Sequence, residues 1–423
     1  MLQNAFRRQL RWKSWIYPWH NLDWVLLVAV VLLTGLGVMA IRSTELNKDF
    51  SDWIQQLATA VLGLGIALGL ARWRYTQLLV LHWWIYLAIN LLLIAVIAIG
   101  TSANGAQSWI TIGSFNIQPS EFAKMGLIIS LAALLHQRSA DSIPAVLQTL
   151  AVTIVPWGLI FIQPDLGTSL VFGAITLGML YWANANPGWI ILIISPLVSA
   201  IAFSLPLPFN LSLLIWGLWT VGMGIIGWQS LYGPLGAFMG VVVNLVSAGL
   251  GQLLWGLLKE YQKDRLTLFL DPDKDPLGGG YHLIQSRIAI GAGGLWGKGL
   301  SHGTQTQLGF IPEQHTDFIF SAIGEELGFV GAMLVLLLFW MICWRLIAIA
   351  NSAQDNFGSL LAIGVFSMIV FQVFINIGMT IGLTPVTGIP LPWLSYGRSA
   401  LITNFVALGL VESVANFRPR KKY

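Results

Sequence analysis

Reactive side chains crowd the run Glu313-Gln314-His315-Thr316-Asp317-Phe318 of this 423-residue chain, directly ahead of a long apolar stretch. A carboxylate at such a boundary can serve as a general base when a substrate hydroxyl reaches it. The plainer alternative is helix chemistry: Thr316 caps the next helix, and Asp317 sits in its first turn, where negative charge is stabilised. Glu313 and His315 flank Asp317, but the ligands do not repeat at i and i+4, so the run is no zinc motif. Spacing leaves both readings of Asp317 open.

A second pair, Glu121 and Lys124, lies three residues apart, so on one helix the side chains meet. Within a bilayer a charge costs roughly 3 to 15 kcal/mol, so such residues pair with one another or face a cavity. The pair is either a self-neutralised strut or the lining of a polar cavity. Pro119 suits the first turn of that helix, and Glu121 suits its N-terminal end. Between Gly291 and Gly299 the glycine-rich segment carrying Lys298 lacks the Gly-Lys-Ser/Thr ending of a P-loop, and no strand precedes it. Its use is a tight backbone that brings Lys298 and free N–H groups to an anion. Trp109, in GAQSWI, is an interface-belt residue or a contact for an amphiphilic substrate. Asp165, in QPDLGT, is a turn residue or a helix cap.

The elements that position these residues follow from composition. Hydrophobic residues make up 56% of the chain and charged residues 9%, against about 25% charged in soluble domains. Lipid is the solvent such a surface requires. Apolar windows predict twelve spans, near 22–41, 53–71, 78–100, 119–136, 145–163, 167–184, 188–206, 209–228, 236–258, 316–346, 357–383 and 395–415. Prolines 196, 206, 208 and 234 make the three spans between 188 and 258 the least regular. Lys and Arg cluster in alternate short loops, which predicts cytoplasmic termini and puts the loop 259–315 outside, since nine spans precede it. Arg11 to Trp19 reads as an interfacial anchor, and no cleaved signal peptide is expected. The net charge of +4 comes from these flanking clusters and does not point to nucleic acid. The single cysteine, Cys343, excludes a disulfide within the chain. The long loop is too rich in Ile, Leu, Phe and Trp for disorder, so short helices over a cavity mouth are expected.

The segments GAQSWITIGSFNIQPSEFAK, QPDLGTS, DPLGGGYHLIQS, GTQTQLGFIPEQHTDFIF with GEELGFVG, and NIGMTIGLTPVTGIPLPWLSYGRSA run in order from residue 105 to 400. In them the chain resembles the SEDS family (shape, elongation, division and sporulation), and the loop is similar to the RodA branch more than to the FtsW branch. The resemblance implies an all-α polytopic membrane protein, one domain over 1–423, with a core of ten helices and a large extracytoplasmic loop at 259–315; the chain departs from it in extra length between QPDLGTS and that loop, which fits two additional helices within 188–258. It implies a peptidoglycan glycosyltransferase of the bacterial plasma membrane that polymerises lipid II outside the cell beside a class B penicillin-binding protein. The essential carboxylate then falls on Asp317, and Trp109, Glu121 and Lys124 fall on functional positions. Lys298, Arg287, Arg398 or a divalent cation, Mg or Mn, would stabilise the departing pyrophosphate; which residues hold such a metal is unknown. Rival readings are a lipid II flippase, lined by Glu121 and Lys124 and needing no base, and a non-catalytic scaffold for the transpeptidase. One departure is Arg398, where the family carries a second glycine. A left-handed backbone there would strain it.

Overall fold

The computed structural model describes residues 21–46, 51–103, 106–112, 115–204, 209–231, 233–257, 263, 267–269 and 271–418. The stretch Arg11 to Trp19, the terminal Arg420, Lys421 and Lys422, and the opening of the long loop at 259–262 lie outside the described residues. Helices stand at each of the twelve places where apolar windows predict spans. They are α1 (Trp24–Thr44), α2 (Asp52–Arg72), α3 (Leu78–Ile99), α4 (Pro119–Gln137), α5 (Ile143–Ile162), α6 (Leu166–Trp182), α7 (Pro187–Ser204), α8 (Phe209–Ser230) and α9 (Pro234–Leu257), then, after the long loop, Ile319–Ser352, Asn356–Ile381 and Arg398–Asn416. Two short helices, α10 (Tyr281–Ala292) and α11 (Thr304–Gln307), lie within that loop, so the last three helices are α12, α13 and α14. Among the described residues nine helices are long and apolar enough to cross a membrane, and α6 and α7 are shorter apolar helices.

One element departs from the all-helical expectation. Residues after α3 form a small antiparallel sheet in the order β1 (Thr101–Ala103), β2 (Ala106–Ile112), β3 (Phe115–Ile117), with Thr101 opposite Trp109 and Ile110 opposite Ile117. Its sequence cues are the Asn104-Gly105 dipeptide, a hairpin signal, and the β-branched and aromatic residues of β2.

Two compact units emerge. One comprises residues 1–138, 148–179 and 268–423. Its most enclosed helices are α4 and α14, each with 16 of 19 residues buried. Glycines let neighbours approach closely: a Cβ at Gly409 would lie 2.7 Å from the Ala67 backbone of α2. Without a hydrophobic difference between lipid and protein, such close packing is what joins membrane helices. The other unit comprises 139–147 and 180–267. Its centre is Asn244, which is fully buried. Its Nδ2 donates to Ser195 Oγ at 3.0 Å and to the Gly240 carbonyl at 2.8 Å, and its Oδ1 accepts from Trp219 Nε1 at 3.2 Å. Every polar arm of that amide is thus satisfied, which lipid demands.

α12 is 34 residues long but is broken at Gly328, whose φ of 65° and ψ of −163° leave the helical region. The glycine-rich segment 293–299 fills the break. Lys298 and Gly299 donate their N–H groups to the carbonyls of Glu325 and Glu326 at 3.0 and 2.9 Å, and Phe329 and Val330 donate theirs to Gly294 and Leu295 at 2.9 and 3.2 Å. A Cβ on Gly328 would lie 2.2 Å from the Gly297 nitrogen. Gly328→Ala is therefore expected to lower the melting temperature of the purified protein by several degrees. Gly35→Ala, at a helical site with nothing within 4 Å of the added carbon, should leave it unchanged or raise it. Differential scanning fluorimetry in detergent reads both.

Candidate functional site

Asp317 is half-buried in a non-helical turn that leads into α12. The helix begins at Ile319, with Phe318 in the capping position and no side-chain cap. Thr316 is not the cap expected of it: its hydroxyl bonds Glu313, donating toward the backbone oxygen at 3.0 Å and Oε2 at 3.2 Å. Asp317 stands ahead of the first turn rather than within it. Glu313 holds the turn in a left-handed conformation, φ 52°, which is uncommon for a residue with a side chain and is a kind of strain that gathers at functional sites.

Four attachments hold this turn in place. Asn376 of α13, fully buried, donates through Nδ2 to the Asp317 carbonyl at 2.9 Å and to the Ile389 carbonyl at 2.7 Å. Gln314 donates to the Thr44 carbonyl at the end of α1, at 3.2 Å. Phe318 packs with Ala289, Ile311 and Val386 and stacks on the His282 ring, centroids 5.9 Å apart. The His315 carbonyl accepts from the Tyr396 N–H at 2.9 Å, while its ring nitrogen Nε2 lies 3.9 Å from Asp52 Oδ2.

The loop 382–397, between α13 and α14, is where the scattered motifs meet. Gly388, at φ 72°, brings bare backbone beside the Asp317 carboxylate; a Cβ there would lie 3.4 Å from Oδ2. The neighbouring Thr387 carbonyl abuts Gly167 at the start of α6. Asp165 caps that helix, its Oδ1 accepting the Thr168 N–H at 3.0 Å, so its role is the cap and not the turn alone. Its Oδ2 accepts from Gln118 Nε2 at 3.3 Å, and the Gln118 N–H donates to Ser399 Oγ at 3.1 Å. The first turn of α2 grips the same loop: Gln56 Nε2 donates to the Ser395 carbonyl at 2.9 Å, and the Tyr396 hydroxyl donates to Gln55 Oε1 at 3.2 Å. Burial, and then the Asp52 carboxylate, push the Tyr396 hydroxyl up to about 12. It remains a proton donor at neutral pH. Arg398 is the first residue of α14 and avoids the left-handed region, so replacing a glycine there costs no strain.

Glu121 and Lys124 form a closed pair in the first turns of α4, Nζ to Oε2 2.7 Å, at 2% and 1% exposure. They begin three residues beyond Gln118. Trp109 is half-buried in β2, on the sheet that leads into Gln118. Lys298 does not present a free ammonium to an anion, as its glycine-rich setting had implied. Its Nζ is held by Thr304 Oγ1 at 2.6 Å and Glu325 Oε1 at 3.2 Å. Glu325 is completely buried and also accepts from Thr304 Oγ1, the Gln305 and Thr306 N–H groups and Thr306 Oγ1, at 2.7 to 3.1 Å. A buried carboxylate needs such a set of donors, and Lys298 is one of them. Arg287 is exposed and donates to the Gly382 carbonyl at 3.3 Å. Asn376, Gln56 and Glu325 were not singled out from sequence. The available signal was a polar side chain inside an apolar helical run.

Removing one member of the Glu121–Lys124 pair strands the other, at a cost of about 3 to 5 kcal/mol. Lys124→Met should therefore melt well below the parent, and Glu121→Gln combined with Lys124→Met should recover much of that loss. Thermal unfolding of the four proteins in detergent checks this cycle.

The chain was compared with known proteins. The model for the cell cycle proteins FtsW, RodA and SpoVE matches residues 19–213 and 218–420. The peptidoglycan glycosyltransferase RodA of Treponema pallidum is 35% identical over 422 residues, covering 93% of this chain and 97% of that protein. The peptidoglycan glycosyltransferase MrdB of Escherichia coli K12 is 35% identical over 405 residues, covering 94% of each. A chain from a peptidoglycan synthase complex that coordinates polymerization and crosslinking superposes with a TM-score of 0.70 at 30% identity, over 95% of this chain and 99% of that one. The crystal structure of the rod shape determining protein RodA of Thermus thermophilus gives 0.62 at 26% identity, over 95% and 99%.

Proposed function

Since the chain belongs to the FtsW/RodA/SpoVE family, we propose that it is a peptidoglycan glycosyltransferase acting in cell elongation and cell shape, with Asp317 as its general base. The observation that carries the assignment of the base is the setting of Asp317. It is a half-exposed carboxylate on a pinned, non-helical turn, beside the loop on which α2, the start of α4, the start of α6 and α14 converge.

The substrate in this reading is lipid II, a polyprenyl-pyrophosphate sugar. Asp317 takes the proton from the 4-hydroxyl of an acceptor sugar. That oxygen attacks the anomeric carbon of the growing chain with inversion, the C–O bond to pyrophosphate breaks, and undecaprenyl pyrophosphate leaves with the bonding pair. A positioned base contributes about 10² to 10⁴-fold. The leaving group needs fixed positive charge. With Lys298 committed to Glu325, Arg398 is the cation that this reading places nearest the loop, and the exposed Arg287 is the second. Among the described residues no group of three or more His, Cys, Asp or Glu is arranged to hold a metal ion. In this reading a Mg or Mn ion would be carried by the pyrophosphate of the donor.

Trp109 lies on the sheet leading to this end of the unit, suited to stacking on a sugar or a polyprenyl head. His315 and Glu313 shape the turn, and the Glu121–Lys124 pair fixes the start of α4. The active site faces the outside of the plasma membrane with both termini cytoplasmic, on the charge distribution of the short loops. The partner is a class B penicillin-binding protein, a reading supported by the likeness to a chain of a synthase complex. The compact unit holding residues 180–267 contains the region 188–258, which carries the two helices we count beyond a family core of ten.

Asp317→Asn keeps the shape of the side chain and removes its basicity. In detergent, where no second leaflet exists, the purified variant should form no glycan product from labelled lipid II while keeping the parental melting temperature. Full polymerisation by that variant would remove the base from the mechanism. Absence of polymerisation by the parent, with transport of lipid II retained in vesicles, would favour the flippase.

A further inference from the structure

The segment that fills the break in α12 has a second face. Its backbone is spent on the helix, but its side chains are turned away: Leu295 is 65% exposed, Trp296 80% and Leu300 44%. The only charged residue from Ile288 to Leu300 is Lys298; it is itself exposed, and its ammonium is bonded to Thr304 and paired with the buried Glu325. A loop standing in water would not normally turn its largest apolar residues outward while its one charge is paired off with a buried carboxylate.

The hydrogen bonds fix where this face lies. Phe329 and Val330 donate to the carbonyls of Gly294 and Leu295, so the tip stands beside the first residues of the helix beyond the break. There the outward stripe of the membrane-crossing part of α12 begins. Phe329, Met333, Leu337, Trp340 and Trp344 are exposed at 46 to 63% and recur every three or four residues, the spacing of one helix face. The stripe spans about 22 Å at 1.5 Å per residue, roughly three-quarters of a bilayer's ~30 Å hydrocarbon. Leu295 and Trp296 extend this stripe at its end without an intervening charge.

We propose that residues 294–300 form a membrane-dipping finger whose occupant is the lipid of the adjoining leaflet. The glycines at 293, 297 and 328 permit it. They bring the finger's backbone onto the broken helix so closely that a Cβ at Gly293 or Gly297 would fall within about 2.1 Å of a carbonyl oxygen of α12. The N–H groups of Gly297, Lys298 and Gly299 and the carbonyls of Gly294 and Leu295 are satisfied without water, as irregular backbone at membrane depth requires. Trp296, with its apolar rings and one N–H donor, is the residue type favoured at the edge of the hydrocarbon. The finger follows from the break in α12 and the exposed apolar face, whatever the role of Asp317.

The protein's single cysteine makes the test direct. In a Cys343→Ser background, Trp296→Cys and Leu295→Cys are each labelled with bimane and placed in nanodiscs. Phe329→Cys serves as the lipid-facing reference. Leu277→Cys, 89% exposed among Asp271, Asp273, Lys274 and Asp275, serves as the aqueous one. Dibrominated phosphatidylcholine should quench the labels at 295 and 296 nearly as strongly as at 329, and aqueous iodide should quench them several-fold less than at 277. Iodide quenching equal to that at 277, with no bromolipid effect, would place the finger in water and overturn the proposal. Loss of bromolipid quenching on adding the partner transpeptidase would assign the face to that protein instead, and would overturn it equally.

Discussion

Backbone that leaves a helix inside a lipid-embedded protein has no water to bond, so its polar groups must be satisfied by the protein itself. In this chain the turn that carries Asp317 is such a segment: its own backbone bonds and the Tyr396 N–H satisfy part of it, and one side chain satisfies the carbonyl of Asp317 itself. The amide of Asn376 donates to the carbonyl of Asp317 and to that of Ile389, so the turn before α12 and the loop before α14 are fixed to α13 by the same nitrogen. The carboxylate is positioned from behind, through its own backbone, with Oδ2 beside the bare backbone of Gly388. The break at Gly328 is solved by the same rule with different material, backbone against backbone across three glycines.

Chemistry follows from that positioning. A base is useful only when its oxygen is held within hydrogen-bond reach of the proton it takes. Holding it requires that the loops around it do not drift. Tyr396 to His315, Gln56 to Ser395, Gln118 to Ser399 and Asp165 to Gln118 join four separate stretches of chain around one loop. The charges that would disturb this arrangement are neutralised out of the way: Lys124 by Glu121, Lys298 by Glu325 and, elsewhere in the same unit, Arg345 by Asp23.

Much of the architecture was legible in the sequence because lipid imposes a coarse rule, about twenty apolar residues per crossing. Each helix so expected is present, with ends displaced by a few residues. The hairpin at β1 and β2 was overlooked because a search for helical windows passes over a short alternating segment. Residues out of place in an apolar chain, such as Lys124 and Asp317, could be picked out, and the family resemblance gave Asp317 its role where spacing had left two readings open. Their partners could not be picked out. Asn376 lies 59 residues from Asp317, and Gln56 lies 339 from Ser395, distances over which local pattern carries no information. Lys298 was read from its glycines as a free cation because nothing nearby in sequence announces Glu325, 27 residues on. The feared strain at Arg398 vanished once the residue proved to open a helix.

The central claim, that Asn376 sets the place of the Asp317 carboxylate, is tested most directly by the polymerisation rate of Asn376→Ala on labelled lipid II, in protein whose cooperative melting transition persists. Displacement of a catalytic group by about 1 Å costs on the order of a hundredfold, so the account predicts a fall of that size in kcat with KM little changed. A folded Asn376→Ala protein that polymerises at the parental rate would contradict it.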